Sequence, residues 1–132
     1  MTYTLELVDI ESVRLHEEHV PETARRLAKK IQGDGIVHEA ILVESKHHVL
    51  LDGHHRLEAL RALGCRKVPA YVVDYDDPDI HLSTWPGAVP VSVTKADVVA
   101  KALSGTKYPP KTTRHRLREP LPKISVPLAE LM

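Results

Sequence analysis

The sequence predicts an α/β (α+β) domain, a small mixed sheet with about three helices packed on it. Three observations carry this. Short apolar runs of strand character recur between polar turns, three segments with helical apolar spacing are interleaved with them, and 132 residues suffice for one core without disulfides. Residues 3–10 carry Leu5, Leu7, Val8 and Ile10 and read as the first strand, after which residues 12–18 turn polar. Pro21 suits the first turn of a helix. Ala24, Leu27, Ala28 and Ile31 then fall on one face, with Gly33 and Gly35 ending the segment. Residues 40–43 and 49–51 are two apolar runs around a polar turn and read as a hairpin, the second stopping at Asp52-Gly53.

From His54 the period becomes helical, with Leu57, Ala59, Leu60 and Leu63 as one stripe and Gly64 as the stop. Residues 67–75, rich in Val and Tyr, read as a further strand, residues 80–85 as a shorter extended run, and residues 86–90 as a linker. Thr94 and Asp97 have the spacing of a capping box before a third helix through Val98, Val99, Ala102 and Leu103, which Gly105 ends. A polar, proline-containing loop to Pro122 follows, then a weak strand or turn over 124–131. The chain thus reads as a single domain over 1–132, with a core over 3–85 and a C-terminal helix and loop over 94–115.

Composition narrows the function. The 18 basic residues balance 18 acidic ones, so no global positive field favours a phosphate backbone, and nucleic acid is not expected as a partner. One cysteine, Cys65, excludes an internal disulfide and a cysteine-rich zinc site, and suits the cytoplasm. Cys65 itself reads as a small buried apolar residue. No run approaches the ~20 apolar residues that span a bilayer, and the first residues lack the pattern of a secretory signal, so no membrane role is expected.

Three groups of residues could carry chemistry. At Asp52-Gly53-His54-His55-Arg56 a strand leads straight into a helix N-terminus, where unpaired N–H groups and the helix dipole favour a phosphate. Gly53 would allow close approach, His54 and His55 could add charge or hydrogen bonds, and Arg56 could hold two oxygens at once. The same residues also serve an ordinary capped helix start. The second group is His16-Glu17-Glu18-His19. A carboxylate there could act as general base, although a charged surface loop has the same composition, and Pro21 rules out the helical H-E-x-x-H of zinc proteases. The third is Tyr108-Pro109-Pro110-Lys111-Thr112-Thr113-Arg114-His115, whose donors could hold a carboxylate or phosphate, or be solvated. Trp85, the only tryptophan, reads as packing more readily than as a ligand platform.

The strand–turn–helix at residues 52–56 resembles the ParB and sulfiredoxin superfamily. Sulfiredoxins have a reactive cysteine in a G-C-H-R turn, where this chain has His54. ParB proteins have a G-E-R-R-R turn and a helix-turn-helix domain after it, where this sequence has D-G-H-H-R and too few residues following to expect such a domain. The chain is more similar to the free serine kinases of archaea and of staphylococcal siderophore synthesis. The agreement comprises the D-G-H-H-R turn, Leu15-His16-Glu17, Gly64-Cys65 with Val68-Pro69, Ser83-Thr84-Trp85 and Pro109 to His115. The archaeal members have extra helical structure between the tryptophan and the last motif.

The resemblance implies a kinase that transfers a phosphoryl group from ATP or ADP, with Mg²⁺, to the hydroxyl of free L-serine. It places the catalytic base at Glu17, and the donor phosphates at Gly53, His54, His55 and Arg56. It places the serine, or the phosphate in transit, among Lys111, Thr112, Thr113, Arg114 and His115, with Trp85 as a wall. Asp52 is assigned either to the metal or to the serine hydroxyl. The product would serve cysteine or siderophore supply. Donor identity and oligomeric state stay open, and a ParB-like nucleotide-binding or DNA-binding regulator is the alternative from another class. A metal-dependent nuclease would rest only on scattered His and acidic residues.

Overall fold

The computed structural model describes residues 1–89 and 92–132; of the linker read over 86–90, Pro90 lies outside the described residues. Strand β1 (Tyr3–Asp9) is followed by helix α1 (Pro21–Asp34), β2 (Ile36–Val37), β3 (Ile41–Glu44), β4 (Leu50–Asp52) and α2 (His54–Ala62). Then come β5 (Lys67–Val73), β6 (Ile80–Thr84), α3 (Lys95–Ser104), β7 (Thr113–Leu117) and β8 (Val126–Pro127). The main sheet has the order β1-β5-β3-β4, with β3 parallel to β5 and the other two pairs antiparallel. This is the mixed α+β architecture expected.

The strand period of two divides the apolar residues between two cores. Ile41, Val43, Leu50, Val68 and Ala70 point to the face covered by α1 and α2, where they meet Ala28, Ile31, Leu57 and Leu60. Leu42, Val49, Leu51, Tyr71 and Val73 point to the other face, where Ile80 of β6 and Val98 and Ala102 of α3 cover them. Helix α1 starts on Pro21 and ends at Gly35, so Gly33 lies inside it and not at its end. Helix α3 has the capping box in full: Thr94 Oγ1 accepts from Asp97 N, and Thr94 N donates to Asp97. Such a cap stabilises a helix by ~1 kcal/mol. Cys65 is buried, as its reading required.

One expectation needs correcting, and another is refined. The polar loop after Pro110 contains a strand: Thr113–Leu117 is β7, paired antiparallel with β6 from Ile80↔Leu117 to Thr84↔Thr113. The segment T-R-H-R-L has little apolar alternation because the ribbon lines a cleft. The 124–131 segment divides into the two-residue β8, paired with the equally short β2, and a 3₁₀ turn over Leu128–Leu131 that buries Leu131. Residues 36–37 carry too few side chains for a period to register.

Candidate active site

The Asp52-Gly53 step does what the sequence predicts. Strand β4 ends on Asp52, and α2 begins at His54 with Gly53 as its N-cap at φ 102°. A Cβ on Gly53 would lie 2.7 Å from Ile41 Cγ2 and 3.2 Å from Ile41 Cα. The glycine is therefore required by its backbone conformation and by the packing of β3 beneath the turn. The first turn of α2 opens onto a cleft of about 460 Å³, lined among others by Glu17, Asp52, Arg56, Trp85, Lys111 and Arg114. Gly53, His54, His55, Thr113 and His115 line it too; of the site residues expected, Thr112 alone does not.

The two histidines of the turn do not supply positive charge. His54 turns inward against His16, with ring centroids 5.1 Å apart, and its Nε2 is buried. Burial, and next the neighbouring His16 and His115, lower its pKa to about 3. His55 Nε2 accepts the Val20 backbone N–H at 3.0 Å, tying the start of α1 to the start of α2; burial lowers its pKa as well. Of the charge expected at the turn only Arg56 remains, 3.3 Å from Glu39 at the cleft edge. The groups at this turn suited to an anion are the backbone N–H groups and the helix dipole, with Arg56 beside them.

Asp52 is open to the cleft at its residue surface, yet protein surrounds most of the carboxylate and raises its pKa by desolvation. No group of three or more His, Cys, Asp or Glu among the described residues is arranged to hold a metal by itself. One carboxylate at the cleft surface beside a helix N-terminus fits Mg²⁺, which is typically held by one or two carboxylates together with substrate phosphates.

Glu17 is not in a solvated loop, as its composition allowed. Only 8% exposed, it is held against a segment from the far end of the chain. Glu18 N donates to Tyr108 O at 2.9 Å and Tyr108 N to His16 O at 2.8 Å, which joins the two motifs. Lys111 then adopts φ 58°, a left-handed conformation uncommon outside glycine, and the backbone curls around the carboxylate. Glu17 Oε1 accepts Thr112 N at 3.2 Å, Thr113 N at 2.7 Å and Thr113 Oγ1 at 2.9 Å. This is a backbone nest for an anion. Burial still outweighs these hydrogen bonds and raises the Glu17 pKa above the ordinary value of 4.5, which brings a carboxylate closer to the range useful for a general base.

The 111–115 segment thus divides its work. Thr112 and Thr113 hold Glu17, and the Thr112 hydroxyl is occupied with Pro109 O at 2.7 Å. His115 Nε2 is 2.6 Å from the Tyr75 hydroxyl, and burial lowers its pKa to about 3. Lys111 and Arg114 face the cleft and join no ion pair among the described residues; Arg114 lies 4.4 Å from the ring centre of Trp85, itself 39% exposed. Trp85 is therefore a wall of the cleft, held by Trp85 N donating to Thr112 O. Sequence patterns singled out His16 within its group but gave it no role, and they missed Tyr75, which meets His115. The one available signal for His16 was its place beside Glu17.

Three buried histidines, His16 with a pKa lowered to about 4 and His54 and His115 to about 3, give the fold an acid dependence. Each stays neutral in the folded state but takes up a proton near 6.5 when unfolded, so stability is complete above 6.5 and falls as pH drops toward the folded values. The raised pKa values of Glu17 and Asp52 act in the opposite sense, nearer the carboxylate range. Urea unfolding between pH 6.5 and 5 should therefore lose up to about 1.4 kcal/mol per pH unit for each histidine. A stability independent of pH over that interval contradicts neutral burial.

The fold and site define a small α+β domain in which a helix N-terminus opens onto a cleft shared with a buried carboxylate. The chain belongs to the ParB N-terminal domain family, whose model matches residues 3–83. It is 38% identical over 93 residues to an ATP-dependent L-serine kinase of Staphylothermus marinus, a match covering 67% of this chain and 37% of that protein. It is 35% identical over 92 residues to the ATP-dependent L-serine kinase SbnI of Staphylococcus aureus, covering 67% and 35%. The chain thus spans about a third of the length of the curated relatives it matches. Its fold superposes on a free serine kinase in complex with AMP with a TM-score of 0.87 at 18% identity, over 98% of this chain and 93% of that one. No helix among the described residues is long and apolar enough to cross a membrane.

Proposed function

We propose that the cleft transfers a phosphoryl group from an adenine nucleotide to the hydroxyl of free L-serine, giving O-phospho-L-serine. The observation that carries this reading is the Glu17 carboxylate, buried in a backbone nest and lining the same cleft as the α2 N-terminus. A base and a phosphate site facing one space are what transfer to an alcohol needs, because the reaction is accelerated by positioning and electrostatics. The donor phosphates rest on the Gly53–Arg56 turn. Mg²⁺, when bound with the nucleotide, offsets phosphate charge, and Asp52 is the residue that would hold it.

Glu17 takes the serine hydroxyl proton as the serine oxygen forms a bond to the terminal phosphorus. The bond from that phosphorus to its bridging oxygen breaks, and the nucleotide leaves with one phosphate fewer. Lys111 and Arg114 supply the cationic groups for the serine carboxylate or the phosphoryl oxygens, and Trp85 closes one side. A second cleft of about 450 Å³ shares Asp52 and His115 with the first, which gives space for two ligands side by side. Both relatives described are named as ATP-dependent, so ATP is the first donor to test, and small soluble substrates accord with a cytoplasmic setting.

The test is incubation of the 132-residue chain with L-serine, Mg²⁺ and either ATP or ADP, read by mass spectrometry for O-phosphoserine. Product with one donor is expected and names the donor. No product with either, while nucleotide binds and Arg56→Ala abolishes that binding, replaces the kinase by a nucleotide-binding regulator. A salt-sensitive shift of duplex DNA would then be the next observation to seek.

A further inference from the structure

His16 is wholly buried, yet its ring has a single hydrogen bond: Nε2 lies 2.9 Å from Thr113 Oγ1. Its Nδ1 makes no hydrogen bond of ordinary geometry, and the Leu50 backbone favours a proton on the ring against the larger effect of burial. The titratable rings around it are His54 at 5.1 Å, His115 at 6.0 Å and Tyr108 at 6.5 Å between centroids. The loop does not need this imidazole for anchorage, since the His16 carbonyl and the Glu18 N–H already pair with Tyr108. The partner of the ring is informative. Thr113 Oγ1 also lies 2.9 Å from Glu17 Oε1. A threonine hydroxyl has one proton, and if that proton goes to the carboxylate the oxygen can meet His16 only as an acceptor.

We propose that His16 is a positioning residue for Glu17: its Nε2–H donates to Thr113, directs the threonine proton onto Oε1, and so leaves Oε2 as the oxygen that receives the substrate proton. The three hydrogen bonds from residues 112 and 113 all fall on Oε1, in keeping with this division. The chain of groups spans sequence-adjacent residues through a threonine from the other end of the protein. The inference rests on Glu17 as the base of the proposed reaction.

Four variants test it in the 132-residue chain. His16→Leu and Thr113→Val break the chain of hydrogen bonds, while His16→Gln and Thr113→Ser retain a donor or a hydroxyl. The first two should lower serine-kinase turnover ~10–100-fold, a part of the general-base contribution, with nucleotide KM nearly unchanged. Their acid limb should move to higher pH, because Thr113→Val removes a hydrogen bond that favours the charged carboxylate and His16→Leu removes the N–H that polarises and orients it. The conservative pair should restore both, and His16→Leu combined with Thr113→Val should be no worse than either alone. An unmoved acid limb in His16→Leu and Thr113→Val, or His16→Gln no better than His16→Leu, overturns the proposal.

Nitrogen-15 NMR of the histidine rings reads the same geometry without activity. The Nε2–H tautomer of His16 is expected at neutral pH, and an Nδ1–H tautomer, which makes Nε2 an acceptor, overturns it. Carbon-13 titration of Glu17 in the same variants separates the two readings. A carboxyl that titrates higher in His16→Leu and Thr113→Val, in a protein that makes no phosphoserine, upholds the positioning and removes only the kinase.

Discussion

Glu17→Gln is expected to lower turnover by ~10²–10⁴, the range for loss of a general base, while nucleotide affinity stays nearly unchanged. The substitution keeps an oxygen where Oε1 accepts Thr112 N, Thr113 N and Thr113 Oγ1, so the nest remains satisfied. Only the basic lone pair is removed. Because burial opposes the ionised form of Glu17, the neutral amide should leave thermal stability equal or higher, which separates chemical loss from unfolding. In the unmodified protein the same burial is expected to set the acid limb of the rate above the ordinary 4.5 of a glutamate. Calorimetric nucleotide binding, turnover and a melting curve measured on one preparation decide the matter. Turnover equal to that of the unmodified protein removes Glu17 as base, and loss of turnover together with loss of the fold leaves it a structural residue.

Gly53→Ala is expected to cost about 2–5 kcal/mol, combining left-handed strain with overpacking of a closed core. The backbone at φ 102° disfavours any side chain, and the new Cβ would meet Ile41 at 2.7, 3.0 and 3.2 Å, the last of these contacts being to its Cα. Ile41 is fully buried in β3 and paired to β5, so it cannot yield cheaply. Relief requires moving the first turn of α2, and with it the N–H groups proposed to hold phosphate. Gly35→Ala is the control: φ is 69°, but nothing lies within 4 Å of the added carbon, so it should cost only about 1 kcal/mol. Equal urea midpoints for the two variants would show that Ile41 contributes nothing to the requirement for glycine at residue 53.

Much of this architecture is legible in local sequence. Pro21 with the spacing of Ala24, Ala28 and Ile31 places α1, the two apolar runs place the β3–β4 hairpin, and Thr94 with Asp97 places the start of α3. The turn at Asp52-Gly53 is equally readable, because a strand ending on Asp-Gly before a helical stripe is a local pattern. Strand β7 is not, since its side chains face a cleft and their polarity conceals the period. The roles of His54 and His55 are also hidden. As a row of residues H-H-R reads as three cations, and in the fold only Arg56 forms an ion pair among the described residues, while one imidazole is buried and the other accepts a backbone N–H.

The sequence by itself determined the three helices, the longer strands of the main sheet, the Asp52-Gly53 turn and most of the side chains that line the cleft. All of these depend on periods, caps and turn residues within a few positions of one another. The tertiary structure alone decided the state of those side chains. Thr113 reaches Glu17 across 96 positions of chain, and only that contact turns a charged loop into a buried carboxylate, assigns two threonines to hold it and gives His16 its partner. Burial and hydrogen bonding of a polar group are set by what packs on it from elsewhere, and no local spacing encodes the neighbour.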